Sequence, residues 1–543
     1  MLSNRTNTSD SLAQEDSSGA DFWSALPVYF DALRMAPRVW LTAAWWRVLG
    51  KRVRARGQFA PLLAASPRAY RLWLLTEPRL PETGEDGPPI VAIVAAGAGQ
   101  AETLRSIAGA NAQVFALGTP ETPDLAAVAA RIDWSAEPWL LPLGAGDRLA
   151  AGALDAYRAA AAGMRAGSDK CIVYADDDLL DPNGRRVAPH FKPLWNRELL
   201  RHFDYLTGAC ILRAWPQDLA GLEGSDWADR LTARIVARST GAARVPHVLH
   251  HRRSRPAPRM PAALGSGQEP LPKVTVIVPT RNRVDLLRTC IEGLARTDYP
   301  DFEVIVVDNG SDDPATLDYL ANLDPVRHRV LRDDGPFNFS RLNNHAATLA
   351  TGELLCLLNN DIEMLGGDWL AIMARQALRP EVGAVGARLL YPDGRIQHAG
   401  VVLGICGGAA HAHRLLDPEE EGYFRRHSLP QFASAVTAAC LVVRRASFEA
   451  VGGLDEANFA VAFNDVDLCM RLNAAGWQSL YEPRATLVHH ESVSRGLDRD
   501  PVGAARLAGE LAALKARWRT DTDIDPFHHP QLNRYSERFV VQL

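Results

Sequence analysis

The sequence predicts an α/β protein of two tandem domains with mostly parallel, mixed sheets, preceded by a helical segment and followed by a C-terminal helix. Three observations predict it. Strands and helices alternate through the second half, which is the pattern of a doubly wound sheet. A stretch dense in proline, glycine and arginine, residues 252–272, reads as a linker. On either side of it, three motifs recur in one order. Thr207-Gly-Ala-Cys-Ile-Leu-Arg213 parallels Thr437-Ala-Ala-Cys-Leu-Val-Val-Arg444, and Leu180-Asp-Pro-Asn-Gly-Arg185 parallels Leu390-Tyr-Pro-Asp-Gly-Arg395. Val245-Pro-His-Val-Leu-His250-His251 parallels Glu482-Pro-Arg-Ala-Thr-Leu-Val-His489-His490. The chain reads as a tandem duplication.

Length and composition agree. A chain of 543 residues is too long for one core. Its 47% apolar and 23% charged residues are ordinary for globular protein. A net charge of −5 argues against a nucleic-acid partner. Seven dispersed cysteines, several inside apolar runs, read as buried thiols in a reducing compartment. With no signal peptide or spanning run read, the expected location is cytoplasmic.

In chain order, residues 1–20 are polar and read as disordered. Residues 21–87 form a helical segment, with Pro37 ending or kinking its first helix. Its second helix sets Trp40, Trp45 and Trp46 beside Arg47, Lys51, Arg52, Arg54 and Arg56. That pairing suits a helix lying in a membrane interface; packing on the next domain with a solvated basic end is the favoured alternative. Residues 88–251 form the first α/β domain. Its Gly97-Ala-Gly99 tempts toward a dinucleotide fingerprint, but Glu102 stands where a third small residue belongs. Residues 273–500 form the second domain. Its expected strands include Val274–Pro279, Val304–Val307 and Leu354–Leu358, and its expected helices Val284–Ala295, Pro314–Leu323, Asn343–Ala350 and Trp369–Ala377. Residues 501–543 supply the last helix, from Arg506 to Trp518, and a tail laid across the domain.

Polar groups gather at the ends of apolar runs in the second domain. Pro279-Thr-Arg-Asn282, Asp308-Asn-Gly310 and Asn359-Asn360-Asp361 each follow a strand, where parallel sheets bind ligands. With Asn464-Asp465-Val-Asp467 and Val488-His-His490, this set resembles the family 2 glycosyltransferases of GT-A fold. Its closing signature, Ala462-Phe-Asn-Asp-Val-Asp-Leu-Cys469 followed by His-His-Glu-Ser-Val-Ser-Arg495, resembles the rhamnosyltransferase-like members that build O-antigen and other surface polysaccharides. The resemblance covers residues 273–535 strongly and 68–251 weakly.

The resemblance implies an inverting, metal-dependent transfer from a nucleotide-diphosphate sugar, dTDP-rhamnose or a UDP-hexose, to a lipid-linked or growing glycan. Asp308 would accept a hydrogen bond from the base, as an ionised carboxylate can, with Pro279 and Arg281 lining the same pocket. Asn359, Asn360 and Asp361 occupy the metal-binding acidic motif with its first acid replaced. Asp361 and His489 would ligate Mn²⁺ or Mg²⁺, and His490 would pack or hydrogen-bond. Asp465 would be the general base, Asp467 would cap the following helix, and Thr437 would floor the sugar site. A lipid-linked acceptor would bring peripheral association with the cytoplasmic face of the inner membrane.

In the first domain Gly144 and Gly146 stand where acids are expected, leaving Asp147 one place late. The equivalent nucleotide strand ends at Gly118 without an acid, and Ser225-Asp-Trp-Ala-Asp229 is a reduced base motif. A degenerate, non-catalytic copy is expected. Two other classes compete: a glycan-binding scaffold of inactive transferase folds, and a sugar-1-phosphate nucleotidylyltransferase, whose glycine-rich basic loop is not evident.

Overall fold

The computed structural model describes residues 22–81, 87–164, 169–263, 270–490 and 501–543. The disordered leader expected over residues 1–20, and the Glu491–Arg495 part of the closing signature, lie outside the described residues.

Two sheets follow one strand order. The first runs Gln113–Ala116, Ile90–Val94, Trp139–Leu143, Cys210–Arg213, Ile172–Leu180, Ala243–Arg252 and Arg148–Leu149, with Arg186–His190 beside Ile172–Leu180. The second traces the same path: Phe302–Asp308, Val274–Thr280, Leu354–Leu358, Cys440–Arg444, Val382–Leu390, Gln478–His489 and Ile362–Met364, with Ile396–His398 beside Val382–Leu390. His328–Arg332 and Gln431–Ala433 are additions to it. The duplication read from three short motifs thus extends to the whole topology.

The expectation of mostly parallel sheets is corrected to mixed ones. In the second sheet Cys440–Arg444 runs antiparallel to both neighbours, and the short strands at 362–364, 396–398 and 431–433 are antiparallel as well. The reason is physical. Val274–Thr280 feeds Val274, Val276 and Val278 into one core and Ile277 into the other, so it is apolar throughout. A strand covered on both faces reads the same whichever way its neighbour points.

Side-chain capping sets the start of some helices. The helix expected from Asn343 starts earlier, at Phe339, because the Asn338 side chain accepts from the Arg341 amide at 2.9 Å. Pro37 does end a helix: Phe22–Met35 and Pro37–Val48 are separated at Ala36. All seven cysteines are free, and all but Cys406 are buried.

The two domains are joined by buried polar contacts. Asn196 donates to the Phe432 carbonyl at 2.8 Å and accepts from its amide at 3.2 Å. The tail lies across both domains: Asp525 accepts from the Leu403 amide at 2.7 Å, the Pro526 carbonyl accepts from the Leu194 amide at 2.8 Å, and His529 Nε2 lies 2.8 Å from Asp176.

Asp467 is not the helix cap expected of it. Fully buried, it accepts from Arg471 at 2.8 Å, from Arg517 at 2.8 Å and from the Trp518 indole at 2.9 Å. It therefore pins the C-terminal helix Pro501–Trp518 to the helix Asn464–Ala474 that carries Asp465. Breaking a buried pair strands its partner charges, so Asp467→Ala is expected to cost about 3–5 kcal/mol in urea unfolding.

Candidate active site

Beyond the carboxyl ends of Val274–Thr280 and Leu354–Leu358 opens a cleft of about 890 Å³. Of the nine expected site residues, eight line it: Pro279, Arg281, Asn359, Asn360, Asp361, Thr437, Asp465 and His489. The parallel register explains the grouping, because neighbouring strands end level and release their polar residues at one edge. Asn360 ties two of these ends together by donating to the Thr280 hydroxyl at 2.9 Å.

Asp308 is the exception. It is buried and is not part of the cleft wall; one oxygen accepts from the Ser311 amide at 3.0 Å and the other from Arg332 at 2.5 Å. Arg332 sits directly opposite in the added edge strand, and a buried strand-end carboxylate takes the cation nearest to it. The expected convergence of all four ionisable groups is therefore corrected to three.

Asp361 and His489 form the densest part of the site. His489 Nε2 lies 3.1 Å from an Asp361 oxygen and accepts from the Asn359 amide at 3.3 Å, while its Nδ1 faces Gln397 Oε1 at 2.7 Å. A proton on Nδ1, donated to Gln397, leaves the Nε2 lone pair pointing at the carboxylate. Two acceptors at that distance need a proton or a cation between them. A carboxylate oxygen and an imidazole whose far nitrogen is held by a second residue are the donor set of a divalent site. Among the described residues no group of three or more His, Cys, Asp or Glu could hold a metal. The pair fits Mn²⁺ or Mg²⁺ as two protein ligands, with the remaining positions left to phosphate oxygens and water. Burial opposes the Asp361 charge, but with both His489 ring nitrogens protonated and no cation bound, the hydrogen bond and positive charge of that ring outweigh burial and hold the Asp361 pKa below the ordinary value. His490 turns away, to Glu363 at 2.9 Å.

Asp465 stands in the first turn of its helix, half-buried in the cleft wall. One oxygen accepts from the Ala438 amide at 3.0 Å and the other from the Val466 amide at 2.8 Å. These bonds fix the carboxylate while leaving each oxygen a further lone pair. Phe463, just before the helix, has φ 59°, and Asn282 and Arg283, beside the Pro279 strand end, have φ 52° and 53°. Left-handed non-glycine residues store strain that their surroundings must hold, and here three border one cleft.

Several cleft residues were not anticipated. Gln397 is one; a buried glutamine in the short strand Ile396–His398 was its only signal. At the far end Arg414 donates to the Tyr391 hydroxyl at 2.7 Å and lies 3.3 Å from Glu537, and His411 meets the buried His398 at 2.8 Å between Nδ1 atoms. Burial pushes the His398 pKa well below its ordinary value. Tyr391 had been seen only as part of a repeat.

Among the described residues of the first domain, the matching positions do not come together as they do in the cleft. Arg148 pairs with His251 as Ile362 pairs with His489, so Asp147 and His251 occupy the places of Asp361 and His489. His251, not His250, is thus the equivalent. They do not meet: His251 Nδ1 lies 2.8 Å from Asp178, and Asp147 accepts from the Arg253 amide at 2.8 Å. The loops that would cradle a diphosphate close on each other, since a Cβ at Gly99 would stand 2.7 Å from Gly146 Cα. Glu102, the misfit of the glycine pattern, ion-pairs with Arg148 and Arg253 across that closure. Burial raises the Asp147 pKa to about 6 against the pull of Arg252. With a folded pKa above the unfolded one, stability is complete below the unfolded value and lost as pH rises through the folded one. Asp147→Asn is therefore expected to raise the melting temperature near neutral pH, the gain vanishing as the pH falls toward about 4.

Residues 275–452 match the family model described as glycosyl transferase family 2. Over those residues the second domain is similar to the family 2 glycosyl transferases. Three relatives extend the likeness. An uncharacterized protein y4gI of Sinorhizobium fredii is 39% identical over 69% of this chain and 46% of its own length. The O-antigen biosynthesis protein RfbC of Myxococcus xanthus is 37% identical over 66% of this chain and 31% of its own. The N-acetylglucosaminyl-diphospho-decaprenol L-rhamnosyltransferase of Mycobacterium tuberculosis is 33% identical over 26% of this chain and 48% of its own. The chain spans less than half the length of each. Pro279 through Thr437 of the cleft fall inside the matched residues, whereas Asp465 and His489 lie beyond them.

Proposed function

We propose that this chain is an inverting, metal-dependent glycosyltransferase that moves a sugar from a nucleotide-diphosphate donor to a glycan acceptor in bacterial surface polysaccharide synthesis. The observation that carries the reading is one cleft holding the Asp361–His489 pair and Asp465 together with Pro279, Arg281 and Thr437. The names of RfbC and of the rhamnosyltransferase favour this biology and dTDP-rhamnose, with UDP-hexoses the other donor class.

In this reading Pro279 and Arg281 line the nucleotide end, and Thr437 with Ala438 and Ala439 gives a small-residue floor for the sugar. Asp361 and His489 would hold the divalent cation, which when bound would supply charge neutralisation for the departing diphosphate. Asp465 removes the proton of the acceptor hydroxyl as that oxygen bonds to the anomeric carbon. The bond from that carbon to the diphosphate breaks on the opposite face, so the configuration inverts.

The test is a panel of nucleotide sugars with and without Mn²⁺, reading nucleoside diphosphate release and the anomeric configuration of the product. Metal-stimulated release from one donor supports the proposal. No release from any donor would return the chain to a scaffold. Pyrophosphate release from a sugar-1-phosphate and a nucleoside triphosphate would make it a nucleotidylyltransferase.

A further inference from the structure

The N-terminal helices carry a surface that sugar transfer does not use. Phe22–Met35, Pro37–Val48 and Arg52–Ala64 pack on one another through a small core of Val28, Ala32, Ala43, Phe59 and Leu63, with the Trp40 ring edge-on to Phe59 at 5.8 Å. That core satisfies the inner face of Pro37–Val48. The outer face is apolar as well: Leu41, Trp45 and Val48, spaced i, i+4, i+7, are 59%, 61% and 78% exposed. Folding gives no reason for a second apolar face. Among the described residues, eight of 21 exposed large hydrophobics fall within residues 23–53.

Charge identifies what could cover it. Residues 22–68 hold eight arginines and lysines against one aspartate, a net +7 in a chain whose total is −5. The aspartate, Asp31, is already engaged by Arg68 at 2.8 Å. Arg38 and Arg52 stand at the two ends of the apolar stripe, and Arg47, Lys51 and Arg54 are exposed beside it. A second copy docking through the same patch would set like charge against like. A tryptophan between aliphatic side chains, ringed by cations, matches a bilayer interface with anionic headgroups. Twelve residues are well short of the ~20 that a span requires, and among the described residues no helix is long and apolar enough to cross a membrane.

We infer that the outer face of Pro37–Val48, with its basic flanks, docks this protein in the plane of an anionic lipid surface. The placement bears on the cleft. Arg56 donates to the Tyr535 hydroxyl at 2.9 Å, and Tyr535 precedes by two residues Glu537, which lines the far end of the cleft. Two residues of chain reach at most about 7 Å. The helical segment is thus tied to the same stretch of tail that supplies Glu537 to the cleft.

Full-length protein is floated with phosphatidylglycerol–phosphatidylethanolamine vesicles and with phosphatidylcholine vesicles. Binding to the anionic set is expected to be at least about tenfold stronger and to weaken with salt. Leu41→Ser, Trp45→Ser and Val48→Ser together are expected to abolish it, as are Arg47→Gln, Lys51→Gln, Arg52→Gln and Arg54→Gln together, with melting temperatures near that of the parent. Absent binding of the parent chain would overturn the inference, and so would an apolar variant that binds like the parent. Vesicle-free dimerisation lost in the same variants would mark a protein interface instead. Flotation needs no donor and no turnover, so its failure and a failure of sugar transfer are separate results.

Discussion

Asp465→Asn is expected to lower kcat by about 10²–10⁴-fold, the contribution of a positioned general base, with the donor KM little changed. The substitution is mild for the fold. An asparagine oxygen can still accept from the Ala438 amide, which anchors the side chain at 3.0 Å, and the surrounding helix is held from behind by Asp467. What is lost is the ability to carry the acceptor proton. In the proposed reading, donor binding rests on Pro279, Arg281 and the Asp361–His489 pair, at other parts of the wall. Single-turnover transfer and donor titration, measured side by side, separate the two effects. A variant within about tenfold of the parent rate would place the base elsewhere.

Much of this site was legible because its residues interrupt apolar runs. Asp361 ends Leu354–Leu358, His489 ends Gln478–His489, and Asp465 opens a helix after a turn. Polar groups at such boundaries stand out against a buried strand. Gln397 and Glu537 could not be found this way. Their role comes from tertiary approach, one across 92 residues to His489 and one from the tail. Nor could the left-handed backbone at Asn282, Arg283 and Phe463 be read, since no glycine marks it. Asp308 misled for the opposite reason. Its strand-end position was read correctly, but its partner Arg332 lies in an edge strand, His328–Arg332, that alternation had not suggested. Strand direction was hidden by burial on both faces, whereas the likeness of the two sheets followed from the repeat.

The repeat itself yields the second large effect. Asp361→Ala is expected to lower metal-stimulated transfer by about 10³-fold or more, since a cation at a departing phosphate contributes several kcal/mol. Asp147→Ala, at the matching place in the first sheet, is expected to change kcat by less than about twofold. The asymmetry follows from what each acid faces. Asp361 meets an imidazole nitrogen at 3.1 Å in an open cleft, and its carboxylate is held ionised. Asp147 meets a backbone amide, its histidine counterpart is diverted to Asp178, and burial favours its neutral form. A carboxylate whose charge burial opposes, in a closed loop without its histidine, is a poor ligand for a cation. Mn²⁺ titration of both variants should show affinity lost at position 361 and unchanged at 147. The reverse pattern would move the metal, and with it the chemistry, into the first domain.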